Sequence, residues 1–484
     1  MNGNAIRRSP TIGIGAGILA LAMASSAVAQ GRGADAAIKQ RAVNEIDAQR
    51  AGLIDLSDQV WRFAETALKE TKSAKVLADY AEQEGFRVTR GVAALPTAFV
   101  AEFGSGRPVI GIMGEYDALP GISQKAQPTR EALVDGAPGH GCGHNMFGAA
   151  SLGAAVAIKR LIAAGSVKGT IKFFGTPAEE DVGGKIYMAR DGVFRGVDVM
   201  LAWHPETRTR ADLASSQAVV DLSVEFTGKS AHAAADPWNG RSALDGAEAF
   251  THGINLLREH VRPTVRMHYV MSGGDVPNVV PEHARVWLWV RDQSRDGVET
   301  VLARVRQIAE GAAQIAGVQS KIIVQGGDYE LLINQTGARL LDRNLRWIGP
   351  VTYTESEQTF ARALQKSAGV PEKGVDATVQ PLEGQEPEGG STDVGDVSWL
   401  VPTLHLSVTT APLGVPWHAW TVVAAGGMSI GHKGLLYAAK TLSATVVDLM
   451  TDSAAREAVQ AEFVKQTEGF TYKAYVPEGP PPSR

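Results

Sequence analysis

Short apolar runs recur along the first part of the chain, and each gives way to a polar cluster where it ends. Positions 109–113 lead into Glu115-Tyr116-Asp117, positions 170–174 into Thr176-Pro177-Ala178-Glu179-Glu180, and positions 197–203 into His204-Pro205. Near-continuous apolar runs of this length predict strands buried on both faces. An Ala-rich stretch at 149–164 predicts a helix that starts just after Cys142 and His144. Strands separated by helices predict an α/β fold, a mixed and mostly parallel sheet flanked by helices. In such sheets ligands gather beyond the carboxyl ends of the strands, where these polar clusters fall.

From about 218 the rhythm changes. Strands are predicted at 219–226, 265–271, 285–290 and 320–324, with helices at 242–261 and 298–316. The order β-α-β-β-α-β is ferredoxin-like and predicts an inserted α+β domain, 218–332, dividing a catalytic domain into 30–217 and 333–484. The returning chain offers a helix at 337–347, an acidic Gly/Pro-rich loop at 383–390, a strand at 403–408 and a helix pair around 427–465. The Pro-rich tail after Val476 predicts disorder.

The amino terminus has a different pattern. Arg7 and Arg8 precede an apolar run at 12–23, and Ala27-Val28-Ala29 follows as a small-x-small site. This form predicts a signal peptide over 1–29 and an exported, periplasmic or secreted protein, by the general or the twin-arginine route. No later run reads as a membrane span. The formal charge of −5 leaves no basic footprint for nucleic acid. Cys142 is the one cysteine of the 484 residues, so no intramolecular disulfide can form.

The strand-end residues include thiol, imidazole and carboxylate groups. Cys142 and His144 stand two apart ahead of a helix, Glu179-Glu180 follow one strand, His204 follows another, and His418 lies between Trp417 and Trp420. Together these donors suit zinc or a similar borderline ion. Singly, each has a plainer reading: a buried inert cysteine, a solvated acidic pair, a loop histidine. His252, His260, His268, His283 and His432 take such plain readings, and Asp393 and Asp396 stand as either support for the site or turn formers. Two rivals remain at this point, a hydrolase with Cys142 as nucleophile and a non-catalytic binding protein on the same fold.

Five motifs occur in order: Gly114-Glu115-Tyr116-Asp117-Ala118-Leu119-Pro120, His140-Gly141-Cys142-Gly143-His144-Asn145, Gly175-Thr176-Pro177-Ala178-Glu179-Glu180, Trp203-His204-Pro205 and Ser391-Thr392-Asp393 through Trp399. The mature chain thereby resembles the metallopeptidase family of glutamate carboxypeptidase, aminoacylase and the auxin-conjugate amidohydrolases, and within it the p-aminobenzoyl-glutamate hydrolase branch. The resemblance implies hydrolysis of an N-acyl amino acid by two divalent metal ions, zinc with manganese or cobalt as alternatives. It implies Cys142 as shared ligand, Glu180 and His418 at one metal, His144 and His204 at the other, Glu179 as general base and Asp117 as orienting carboxylate. Glu115 and Asn145 depart from relatives that carry His and Asp there. The segment Gly228 to Ala243 resembles the family's dimerisation domain, which implies a homodimer or a heterodimer with a paralogous subunit through 218–332. There His232 would stabilise the oxyanion from the partner subunit, and Asn278 and Arg291 would hold the substrate carboxylate. Arg291 reads equally as a strand-surface charge.

Overall fold

The computed structural model describes Met1, residues 16–385 and 389–482, with side chains from residue 36 onward. Of the expected export signal only the backbone of 16–29 is described, as the start of the first helix; the remainder, like part of the 383–390 loop, lies outside the described residues. The strands are β1 (Arg87–Arg90), β2 (Phe99–Ser105), β3 (Val109–Gly114), β4 (Gly169–Gly175), β5 (Val199–Glu206), β6 (Arg210–Ala211), β7 (Ala218–Thr227), β8 (Arg266–Gly273), β9 (His283–Asp292), β10 (Gln319–Gly326) and β11 (Thr403–Thr409). The α-helices are α1 (Ala16–Phe63), α2 (Thr71–Gln83), α3 (His144–Ala163), α4 (Gly184–Arg190), α5 (Ala243–Leu257), α6 (Arg295–Ala316), α7 (Gln335–Ile348), α8 (Glu355–Ala368), α9 (Val394–Ser398), α10 (Trp420–Gly426), α11 (Ser429–Thr451) and α12 (Ser453–Gln466).

Seven strands form the first sheet in the order β1-β2-β4-β3-β5-β11-β6. Its centre, β4-β3-β5-β11, is parallel, and β1, β2 and β6 are antiparallel additions at its margins. The central strands are buried on both faces, as their continuous apolar runs require. Helix α3 passes the length and hydropathy test for a membrane span that the sequence pattern denied to any later run, but it is a core helix, packed against α1, α11 and β3. Its sixteen buried residues include every position from His144 to Ile158. Two glycines let it sit there. Gly143 has φ +82, and a Cβ on it would meet Pro205 at 2.9 Å; a Cβ on Gly148 would meet the Glu115 carbonyl at 2.7 Å.

The second sheet, β10-β7-β9-β8, is antiparallel throughout, with α5 and α6 against it and a separate apolar core. Ser242 and Ser294 cap those helices by accepting the amide N–H of Asp245 and Gly297. β8 is an edge strand and exposes Val270 and Met271.

The segment leading into the Pro-rich tail is tied to the body of the molecule. Phe470 stacks on Trp399, the Tyr472 hydroxyl donates to Asp396 at 2.6 Å, and Tyr475 enters the core of the second sheet. Arg295 at the start of α6 lies over both Tyr329 and Tyr475, and Arg190 of α4 donates to the carbonyls of Pro477 and Gly479. Interleaved aromatics and a stacked guanidinium bury this segment just ahead of the Pro-rich stretch. The segment clasps the junction between the two sheets.

Candidate metal centre

The carboxyl ends of β3, β4 and β5 bring their loops together at the amino end of α3. Cys142, His144 and His204 have donor atoms within 4.8 Å of one another, and so do Cys142, Glu180 and His418. Cys142 belongs to both trios. A third grouping, Glu115, His144 and Glu179, shares His144 with the first. All five expected ligands and Glu179 thus fall in one place, although 276 positions of sequence separate Cys142 from His418.

Hydrogen bonds orient the donors. His144 Nδ1 lies 2.9 Å from Asp117 Oδ1, which leaves Nε2 to face the cluster, and Asp117 Oδ2 accepts the Glu180 amide N–H at 2.9 Å. His204 Nδ1 lies 2.7 Å from the Pro205 carbonyl, so its proton sits there and Nε2 turns a lone pair toward Cys142 Sγ at 3.3 Å. His418 Nε2 is 3.4 Å from Glu180 Oε2. Two non-glycine residues take left-handed backbone at these loops, Ala178 just before Glu179 and His418 itself, with φ of 61° and 52°. Such conformations cost about 1–3 kcal/mol each and persist where the surroundings over-determine them. The His418 N–H donates to the Gly141 carbonyl and supplies part of that hold.

The electrostatics show a site short of positive charge. Burial pushes Glu179 well above the usual carboxylate range, with Glu115 and Glu180 adding to the effect. Burial, with Asp117 and Glu115 adding to it, takes Glu180 up to about 7, and burial and Glu180 push the Cys142 thiol up. Burial and His144 hold His204 down to about 3. A cation placed among these groups would offset the burial and mutual repulsion behind those shifts, and Glu180 Oε1 is buried without a hydrogen-bond partner. The donor chemistry, the shared thiolate and that orphaned oxygen fit two divalent ions.

The inserted domain's candidates lie apart. His232 and Asn278 are neighbours: residues 232 and 279 form a bridge, and the Ala233 N–H donates to the Asn278 carbonyl. Neither is buried, and among the described residues neither touches the metal donors. His232 Nδ1 accepts the N–H groups of Ala234 and Ala235, which leaves its own proton on Nε2 and available for donation. Arg291 donates to Ser391 Oγ at 2.8 Å and lies over Trp289.

Residues 111–340 match the model of peptidase family M20/M25/M40. The chain is 37% identical over 469 residues to one of the subunits of p-aminobenzoyl-glutamate hydrolase of Escherichia coli (strain K12), covering 90% of this chain and 97% of that protein. The chain belongs to the M20 peptidase family. It is therefore a metal-dependent hydrolase of amide bonds. A Xaa-Arg dipeptidase of Mus musculus is 31% identical over 444 residues, 88% of this chain and 92% of its own length. A dinuclear metal-binding M20 peptidase from Bacillus subtilis has the same fold, with a TM-score of 0.60 at 19% identity, covering 84% of this chain and 99% of its own.

Within this M20 site, sequence reasoning missed Lys185. It is fully buried, 2.6 Å from Glu115 Oε1 and 2.6 Å from Asp393 Oδ1. Burial opposes its charge, yet Asp393 and Glu115 outweigh it and raise the ammonium above its ordinary range. Asp393, left open between support and turn former, is thus a buried counter-ion that also accepts the Lys185 amide N–H. Glu115 meets His144 Nε2 at 3.0 Å with its other oxygen. A lysine after a Gly-Gly turn has no periodic signal; its nearness to the acidic motifs was the available hint. Asn145 faces away from the donors and bonds Ser57 of α1. Asp396 is a junction residue, bonded to Tyr472 and the Tyr329 N–H.

Proposed function

We propose that the chain is an exported two-metal amidohydrolase that cleaves N-acyl amino acids, with p-aminobenzoyl-glutamate as substrate and p-aminobenzoate and glutamate as products. The observation that carries this reading is the shared thiolate of Cys142 between two donor trios, with Glu179 beside them. When bound, the two ions, zinc by the softness of the thiolate with manganese or cobalt as alternatives, would lower the pKa of a water and polarise the scissile carbonyl. His144 and His204 would hold one ion, Glu180 and His418 the other. Glu179 is placed to accept the proton of the attacking water and return it to the departing nitrogen. Its raised proton affinity suits that task. The His232 Nε2–H would donate to the oxyanion, and Asn278 with Arg291 would hold the free carboxylate of the amino acid.

His232 stands away from the donors in its own chain, so the site is completed by a partner's copy. The E. coli relative is itself named as part of a larger enzyme, and the open edge of β8 offers a place for a second copy or a paralogous subunit to pair. The thiol-nucleophile alternative leaves the convergence of Glu180 and His418 on Cys142 without a purpose. A second reading, an aminoacyl-amino-acid dipeptidase, is favoured by the 31% identity to the Xaa-Arg dipeptidase. Chromatographic assay of metal-loaded protein decides. Release of p-aminobenzoate from p-aminobenzoyl-glutamate at a higher kcat/KM than release from aminoacyl-arginine supports the first reading, and the reverse order supports the second.

A further inference from the structure

Contacts at the site form a series with two ends. At one end the Arg291 guanidinium meets Ser391; two residues on, Asp393 meets Lys185, Lys185 meets Glu115, and Glu115 meets His144. At the other end Cys142 and Glu180 meet His418. Beyond His418 lies a cavity of about 540 Å³, walled by Ile122 and Arg130 from one loop and by Trp420 from the other. That volume is of the order of a small-molecule subsite.

The cavity wall is built rather than slack. Gln124 is buried, its amide donates to the carbonyls of Lys125 and Thr129, and its oxygen accepts the Glu131 N–H. The Val134 N–H donates to Ser123 Oγ, and the Ser123 N–H donates to the Ala137 carbonyl. Glu131 is engaged by Lys125 and Gln127. Arg130 and Asp135, on the same wall, have no side-chain partner among the described residues. Trp420 lines the cavity two residues from His418 and packs on a small apolar cluster.

Resting on the reading of the reaction above, we infer that this cavity is the subsite for the acyl half of the substrate, and that Trp420 and Arg130 select the acyl group. With the amino acid's carboxylate drawn to the Arg291 end, the acyl group extends past His418 to the other end. A flat ring suits the Trp420 wall. A polar substituent at the end of the ring remote from the scissile carbonyl meets the free charges of Arg130 and Asp135. Within that substrate, Trp420 would read the ring and the Arg130 and Asp135 wall its remote substituent.

The test uses two substrate series on the metal-loaded enzyme. One varies the acyl group on glutamate (p-aminobenzoyl, p-carboxybenzoyl, benzoyl, acetyl); the other varies the amino acid under p-aminobenzoyl (glutamate, aspartate, alanine). Trp420→Ala should lower the preference for benzoyl over acetyl by about tenfold, with Trp420→Phe keeping it and the ranking of amino acids unchanged. Arg130→Ala should lower turnover of the p-carboxybenzoyl substrate more than that of the benzoyl one. Metal content is measured alongside, and Arg130→Ala, which is no neighbour of a ligand in sequence, decides the matter if Trp420→Ala loses metal. Variants that scale both series alike would overturn the subsite. A wild-type enzyme inactive on every N-acyl amino acid would instead count against the reaction. Equilibrium binding of p-aminobenzoate, weakened by Arg130→Ala or Trp420→Ala or indifferent to both, would then judge the cavity separately.

Discussion

Replacing Lys185 with methionine removes the ammonium that lies 2.6 Å from Glu115 and 2.6 Å from Asp393 while keeping much of its volume. All three side chains are at most 1% exposed, so water cannot take the lysine's place. Breaking a buried ion pair by removing one partner costs about 3–5 kcal/mol, and the volume-conserving swap adds little to that. Against a total stability of about 5–15 kcal/mol, this is a large fraction. Urea unfolding of the metal-free protein, followed by tryptophan fluorescence, should show the midpoint fall by the corresponding amount; metal is left out because its binding would add stability of its own. Adding Asp393→Asn to Lys185→Met removes one of the stranded carboxylates and should restore about 1–3 kcal/mol. The sign with pH also follows. Without Lys185 the remaining buried carboxylates have raised folded-state pKa values, so the deficit should shrink as pH falls and grow as it rises. A Lys185→Met midpoint within about 0.5 kcal/mol of wild type, an ordinary surface effect, would refute the ion-pair account.

Further outcomes follow from the same geometry. Dialysis against a chelator should remove activity and metal together, and full activity without metal would restore the thiol-nucleophile alternative. Because burial pushes the Cys142 thiol up, metal binding near pH 7 should expel its proton and weaken as pH falls; Cys142→Ala should release fewer protons in a weakly buffered titration. Glu179→Gln should keep metal content and cut turnover by about 10²–10⁴-fold, whereas Glu180→Gln should lower metal occupancy; identical behaviour in both assays would cancel the division of roles. His232→Ala and Glu179→Gln chains, each nearly inactive alone, should regain partial activity when co-assembled, and a strictly monomeric active enzyme would contradict a shared site. An amidated glutamate product end should bind poorly, read as a raised KM, and equal turnover of acid and amide would remove the carboxylate clamp.

The parts of the fold that could be read beforehand are those where one physical pattern acts alone. β3, β4 and β5 are buried on both faces, so their apolar runs are continuous and their ends abrupt. The insert has one-sided strands and capped helices, which made its element order legible within a few residues. Helix α8 escaped notice because its signal is a capping box, Thr354 with Glu357, on a largely polar segment. The candidate donors were legible because they sit at element ends, Glu179 and Glu180 past β4, His204 near the end of β5, and Cys142 and His144 at the start of α3. Lys185 was not, because what gives it meaning is the convergence of Glu115 and Asp393, 278 positions apart. The ordering of Tyr472 and Tyr475, just ahead of the Pro-rich stretch, was not legible because their partners lie far away in sequence.

That tail bears on the order in which the molecule is made. The second sheet is complete in the chain once β10 has emerged, and it has a core of its own to fold around. The first sheet must wait for β11, which is inserted beside β5. The clasp follows both, since Tyr472 and Tyr475 come after β10 and β11 in the chain. Domains formed during synthesis mature from the amino end, so the junction is sealed only after both sheets have their strands. A proteolytic cut just ahead of Tyr472 therefore acts on the joint between the two sheets, where Arg295 and Tyr329 would lose their cover and the second core would lose Tyr475.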